Sequence, residues 1–167
     1  MEYRKTYQPP TVTVDAVVFQ LQKNELEVLL IKRSKDPFKD CWALPGGYSA
    51  LGETTREALQ DIVKRKAGVD LTKDLKYIEQ LYTFDTIARD PRGHAVSVTY
   101  MGCGLNIALK QSSEPTTFFS VSNLPKLAYD HVEIINYARQ RLAAKLTYTN
   151  AVYGLLPKNF TLSQLQA

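Results

Sequence analysis

Gly46-Gly47-Tyr48-Ser49-Ala50-Leu51-Gly52-Glu53-Thr54-Thr55-Arg56-Glu57-Ala58-Leu59-Gln60-Asp61-Ile62-Val63-Lys64-Arg65-Lys66-Ala67-Gly68-Val69 is the stretch that decides the fold. Thr54 and Glu57 have the T-x-x-E spacing of a capping box, in which hydroxyl and carboxylate satisfy backbone N–H groups at a helix start. Ala58, Leu59, Ile62 and Val63 then recur at helical spacing and make one apolar face. Gly68 stands where a left-handed residue closes a helix, so the spacing predicts a helix between Thr54 and Gly68. Its last turn holds Lys64, Arg65 and Lys66, which complement the helix dipole, and Asp61 precedes Arg65 as an acid-first i,i+4 pair. Gly46 and Gly47 allow close backbone approach and positive φ.

Outward from this helix the chain reads mostly as strands. Thr11 to Leu21 and Leu26 to Arg33 are rich in β-branched and other apolar residues, with Gln22 to Glu25 as a hairpin turn between them. Trp42-Ala43-Leu44 is a short strand running into the glycine pair. Tyr77 to Ile107 reads as strands around the turn Ala88 to Gly93, where Pro91 fixes φ and Gly93 accepts a positive one. A further strand lies near Thr116 to Val121. Asp130 and Glu133 repeat the acidic helix-start spacing, followed by Val132, Ile135, Ala138 and Leu142 as an apolar face and by Arg139, Arg141 and Lys145 near the C-terminal end. Strands mixed with two main helices give an α+β fold, a mixed β-sheet sandwiched between helices.

A chain of 167 residues has the size of one domain, and a domain of this size buries roughly 70% of its unfolded-state surface. Hydrophobic residues at 44% and charged residues at 23% fit an ordinary globular protein, with no repeat or low-complexity tract. A net charge of +4 permits a nucleotide or nucleic-acid partner without requiring one. Cys41 and Cys103 have neither metal-ligand spacing nor the look of a disulfide framework, which suits a reducing cytoplasm. No apolar run approaches the roughly 18 residues of a membrane span, and Met1 to Lys5 lack the apolar core of a secretory signal.

The opening stretch resembles a Nudix box, G-x5-E-x7-R-E-U-x-E-E-x-G-U, where U is bulky and aliphatic. Gly47, Glu53, Val63, Gly68 and Val69 fall on its marks, but Asp61 to Lys66 stand where R-E-U-x-E-E belongs. Nudix enzymes hold divalent cations with the three glutamates of that portion and cleave a diphosphate bond. Here Ile62, Arg65 and Lys66 replace them, so three negative charges give way to two positive ones. Mg²⁺ needs oxygen ligands and is repelled by neighbouring cations. The resemblance therefore implies a Nudix fold with no catalytic and no metal-ligating residue. Mg²⁺ would enter only with residual hydrolysis, for which Glu53, Glu57 or Glu79 would have to serve, although Glu57 suits capping.

Several separated motifs resemble the Nudix-related transcriptional regulators of NAD metabolism: Gln80 to Asp85, Arg89 to Gly93, Val96 to Tyr100, Leu124-Pro125, Asp130-His131 and Leu155 to Gln166. The resemblance implies a repressor whose Nudix-like effector domain spans residues 1–147. Residues 148–167 would then be a linker and the truncated start of a winged helix-turn-helix domain, with Thr161 and Gln164 at capping-box spacing. It also implies a cytoplasmic homodimer that binds DNA through the second domain, makes no membrane contact, and takes ADP-ribose or a related nucleotide sugar as ligand without hydrolysing it. The competing readings are a divergent hydrolase that cleaves ADP-ribose and an interaction module without a ligand.

Candidate ligand contacts follow from chemistry. Arg65 and Lys66 can neutralise a diphosphate where a metal would otherwise do so, or can simply complement the dipole. Arg33 can hold a diphosphate or a terminal ribose, or be a strand-end surface charge. Trp42, Tyr82 and Phe84 can stack on adenine, or belong to the core. Arg89 and Arg92 flank a turn from which they can reach phosphate or a partner subunit, or stay solvated. Gly46, Gly47 and Glu53 complete the set. His94 belongs to no catalytic constellation, and His131 is expected to organise the start of the helix at Asp130.

Overall fold

Period-two alternation in the two N-terminal strands separates two apolar faces, and each face recruits one helix. The computed structural model describes residues 7–146; the expected domain boundary and residues 148–167 lie outside the described residues. In chain order the elements are β1 (Thr11–Gln22), β2 (Glu25–Lys32), β3 (Trp42–Ala43), β4 (Gly46–Tyr48), α1 (Thr55–Ala67), β5 (Tyr77–Phe84), β6 (Ala95–Gly104), β7 (Thr116–Ser120) and α2 (His131–Leu146). The seven strands form one sheet of order β3-β2-β1-β6-β5, with β4 added on β1 and β7 on β2. β1 runs parallel to β6 from Thr11↔Ala95 to Gln20↔Gly104, and the other pairings are antiparallel, so the sheet is mixed.

Val14, Ala16, Val18, Leu29 and Ile31 pack with Ala58, Leu59, Ile62 and Val63 of α1. Val17, Phe19, Val28 and Leu30 pack with Ile134, Ile135, Ala138 and Leu142 of α2. Each fully buried Leu, Ile, Val or Phe contributes about 1.5–3 kcal/mol, which is what holds the helices to the sheet. The face expected on α2 needs one correction. Val132 is exposed, and Ile134 is buried in its place.

The local signals read from the sequence are realised in detail. Lys23 and Asn24 both have positive φ, as a two-residue hairpin turn requires. Thr54 and Glu57 form the complete capping box, and Gly68 closes α1 at φ 68°. Asp61 and Arg65, however, form no ion pair; the pair made by this helix, among the described residues, is Lys64–Asp70 at 3.6 Å. Asp130 is not spent on the start of α2, because both its carboxylate oxygens accept from Arg89. At the other end of α2, Arg141 and Lys145 do more than complement a dipole: both lie against Glu79 of β5, at 3.7 and 2.7 Å.

The feature that positions the site is the second edge of β1. It is shared between two partners, β4 over Thr13–Asp15 and β2 over Phe19–Gln22. The chain crosses from β3, which pairs with β2, to β4 at this changeover. A gap therefore opens between the end of β2, the short β4 and the last turns of α1. Among the described residues, no helix is long and apolar enough to cross a membrane.

Candidate functional site

That gap is a cleft of about 470 Å³. One wall is cationic. Lys66 leaves the last turns of α1 and its Nζ donates to the Gly46 carbonyl at 2.7 Å. Burial pushes the Lys66 pKa down, and repulsion from Arg65 and then Arg33 adds to it, so three positive charges share one region. Arg33 is held by its own loop, donating from Nε to Pro37 O at 2.8 Å and from Nη2 to Lys35 O at 3.2 Å. Its guanidinium lies 5.0 Å from the Tyr129 ring centroid. Arg65 is exposed at the rim of the same wall.

Ile62 shows why the altered helix still fits. It is buried, and its Cδ1 would lie 3.1 Å from a Cβ at Gly47, so an apolar side chain seals the site where the box pattern asks for a carboxylate. Gly46 is needed for close approach, since a Cβ there would sit 2.0 Å from Asp15 Oδ1. Neither Gly46 nor Gly47 has positive φ; that part of the expectation is not met.

The floor is a buried polar network on the α2 side. Arg89 donates to Asp130 from Nε at 2.9 Å and Nη2 at 2.8 Å, and lies 3.7 Å from Asp15. Ser97 Oγ donates to Asp15 at 2.6 Å. His131 Nδ1 accepts from Leu44 N at 2.9 Å, so the proton of its neutral form is on Nε2, 3.6 Å from Asp15. Burial lowers the His131 pKa and keeps the imidazole neutral. The expected role for His131 is thereby corrected: it ties the β3–β4 crossing to α2 rather than organising Asp130.

Part of the rim is aromatic, and Tyr129 adjoins the Arg33 end of the cationic wall. Arg92 grips Asp90 from Nε at 2.9 Å and Nη2 at 2.6 Å, which holds the Asp90 carboxyl below the usual range. Its guanidinium lies 5.3 Å from the Tyr48 centroid and 6.0 Å from that of Tyr129. Glu114, just before β7, accepts from Ser34 Oγ at 2.9 Å; its Oε2 is buried and has no donor among the described residues.

Arg33, Gly46, Gly47, Arg65, Lys66, Arg89 and Arg92 therefore meet in one cleft. Four other candidates stand apart from it. Trp42 packs edge-on against Phe119 with centroids 4.8 Å apart, in the core under α2. Tyr82 and Phe84 cluster with Tyr137 of α2, beyond an irregularity in the β5–β6 register at Gln80/Tyr82. Glu53 accepts from Ala50 N and lines a separate, shallower depression with Glu57 and Asp61. The residues sequence reasoning missed are Asp15, Tyr48, Glu114, Tyr129 and the cleft role of His131. Only Tyr48, inside the box stretch itself, carried a local signal that could have found it.

The three altered box positions do not offer a dication its usual oxygen ligands. Positions 62, 65 and 66 offer an aliphatic chain and two cations, Glu57 is engaged by Thr54, and Glu79 faces Lys145 and Arg141 elsewhere. Among the described residues, no group of three or more His, Cys, Asp or Glu could hold a metal ion.

Comparison with known proteins agrees with this architecture. A family model described as NUDIX domain matches residues 9–138. The ADPR responsive transcriptional repressor NtrR of Acinetobacter baylyi is 35% identical over 171 residues, covering 99% of this chain and 68% of that one. The ADP-ribose pyrophosphatase of Methanocaldococcus jannaschii is 38% identical over 133 residues, covering 78% and 74%. The NUDIX domain of Shewanella oneidensis NrtR, solved as a complex with ADP ribose, superposes with a TM-score of 0.70 at 33% identity, covering 81% of this chain and 90% of that one.

Proposed function

We propose, from the premise that this chain belongs to the Nudix family, that it is an effector-sensing domain which binds ADP-ribose or a related nucleotide sugar and leaves it intact. The observation that carries this reading is the Lys66 ammonium on the Gly46 carbonyl, with Arg33 and Arg65 beside it. These groups supply the counter-charge for a diphosphate without a metal ion. Charge-assisted hydrogen bonds from Lys and Arg to phosphate oxygens are roughly twice as strong as neutral ones. The cleft volume lies in the ordinary range for a small-molecule site. One relative is named for its response to ADPR, and another was solved with ADP ribose bound.

The loss of carboxylates from positions 62, 65 and 66 supports binding without cleavage. Metal-assisted hydrolysis needs a metal-bound hydroxide or an aimed base, and His131 is engaged at Nδ1 by Leu44. The bound ligand would act on DNA by favouring one arrangement of a homodimer, through differential affinity for its two states. The dimer, a winged DNA-binding domain and a cytoplasmic setting are part of the proposal; the free thiols of Cys41 and Cys103 are compatible with the last.

Titration calorimetry with ADP-ribose in metal-free buffer tests the reading. Arg65→Glu combined with Lys66→Glu should weaken binding at least about tenfold, and unchanged affinity would remove the cationic-substitute idea. The pyrophosphatase relative and the retained Glu53 favour a second reading, hydrolysis of ADP-ribose. AMP release with Mg²⁺ or Mn²⁺ that Glu53→Gln abolishes would establish it.

A further inference from the structure

We infer that Tyr48 and Arg92 form a nucleobase platform, so that this cleft takes an aromatic base at one end and a diphosphate at the other. Tyr48 ends β4, where it pairs with Thr13, and is 54% exposed beside the cleft. The Arg92 guanidinium lies over its ring at 5.3 Å. Asp90 holds that guanidinium along its Nε–Nη2 edge with two hydrogen bonds, and Arg92 Nη2 also reaches Tyr129 Oη at 3.3 Å. The plane is thus set before a ligand arrives, and little rotamer freedom is left to lose on binding. An exposed tyrosine carrying a fixed guanidinium is the surface on which bases stack, whatever their sequence identity.

The distance along β4 supports the pairing of the two ends. Gly46 and Tyr48 are two strand residues apart, about 6.6 Å. Lys66 sits on the Gly46 carbonyl. A base on Tyr48 therefore places its own ribose and first phosphate on the path to the cationic wall. The inference rests on the diphosphate reading above and adds what that reading leaves open, namely which end of the cleft receives the base.

The test is calorimetry on the full chain with ADP-ribose, and displacement of ADP-ribose by inorganic diphosphate, for wild type, Tyr48→Ala, Tyr48→Phe and Arg92→Lys. Tyr48→Ala should weaken ADP-ribose about tenfold or more and leave inorganic diphosphate unchanged, whereas Tyr48→Phe should bind as wild type. Arg92→Lys keeps the charge but loses the plane, and should weaken ADP-ribose selectively. Wild-type ADP-ribose affinity in Tyr48→Ala overturns the inference alone. So does an equal loss for inorganic diphosphate, which would mark a general distortion of the cleft. Absence of ADP-ribose binding by the wild type removes the proposed function and this inference with it.

Discussion

Arg89 holds both carboxylate oxygens of Asp130, at 2.9 and 2.8 Å, across 41 residues of chain. The pair joins the loop before β6 to the start of α2, and Arg89 lines the cleft. Its side chains are 4% and 15% exposed, so neither charge is relieved by solvent.

Asp130→Ala should therefore destabilise the fold by about 3 kcal/mol, measured by urea denaturation. Removing one partner of a buried pair leaves an uncompensated charge. The loss should fall at the lower end of the range, because Asp15 remains 3.7 Å from Arg89. The double change Arg89→Met plus Asp130→Leu should recover only part of it, because it replaces the pair but leaves the buried Asp15 carboxylate without its cation.

Lys66 gives a pH dependence of defined sign. Its pKa is depressed in the folded chain, chiefly by burial and then by Arg65 and Arg33. Below the depressed value both states carry the proton and the folded state bears the full penalty. As pH rises from that value towards the ordinary lysine value the penalty is lifted, so this group adds stability with rising pH. A bound diphosphate favours the ammonium. ADP-ribose binding should thus take up protons in that alkaline window and weaken as pH rises through it. Calorimetry in two buffers of different ionisation enthalpy reads the uptake, and Lys66→Met should abolish it.

Restoring the box carboxylates should exchange one cation strategy for the other. The triple variant Ile62→Glu, Arg65→Glu, Lys66→Glu should be less stable than wild type in metal-free buffer, because position 62 is 6% exposed and an unpaired carboxylate there is costly. Added Mg²⁺ should then stabilise it by about 2.7 kcal/mol at a hundredfold excess over Kd, with no such gain in wild type. Thermal unfolding with and without Mg²⁺ checks both statements, and AMP release from ADP-ribose reports whether hydrolysis returns.

The two glycines of β4 should differ in tolerance. A Cβ at Gly46 would meet Asp15 Oδ1 at 2.0 Å and the Val14 carbonyl at 2.6 Å, neither of which can retreat without disturbing β1. Gly46→Ala should cost about 3 kcal/mol, the upper end for overpacking. At Gly47 the nearest atom is the mobile end of Ile62, at 3.1 Å. Gly47→Ala should cost under about 1 kcal/mol and less still with Ile62→Val, by chemical denaturation.

What was legible in the sequence was whatever is decided within a few residues. The Thr54–Glu57 box, Gly68, the Gln22 to Glu25 turn and the two N-terminal strands all depend on neighbours, and all are realised. Partners across the fold were not legible. Asp130 looks like a helix cap until Arg89, from another loop, claims it. Tyr82 and Phe84 share a face, but which face depends on the register irregularity at Gln80/Tyr82, and their neighbour proves to be Tyr137. Two of the site's cations, Arg65 and Lys66, come from a run visible in one helix and could be named. Asp15, Glu114 and the neighbouring pair Tyr129 and His131 reach it from three separate segments, and no spacing rule links those segments.

A positive charge that belongs to the polypeptide, as that of Lys66 does beneath Gly46, cannot be chelated away, outcompeted or diluted. It is present once per molecule at any magnesium level, so under the proposed reading a cleft equipped in this way would answer to the concentration of its ligand and not to that of a metal ion.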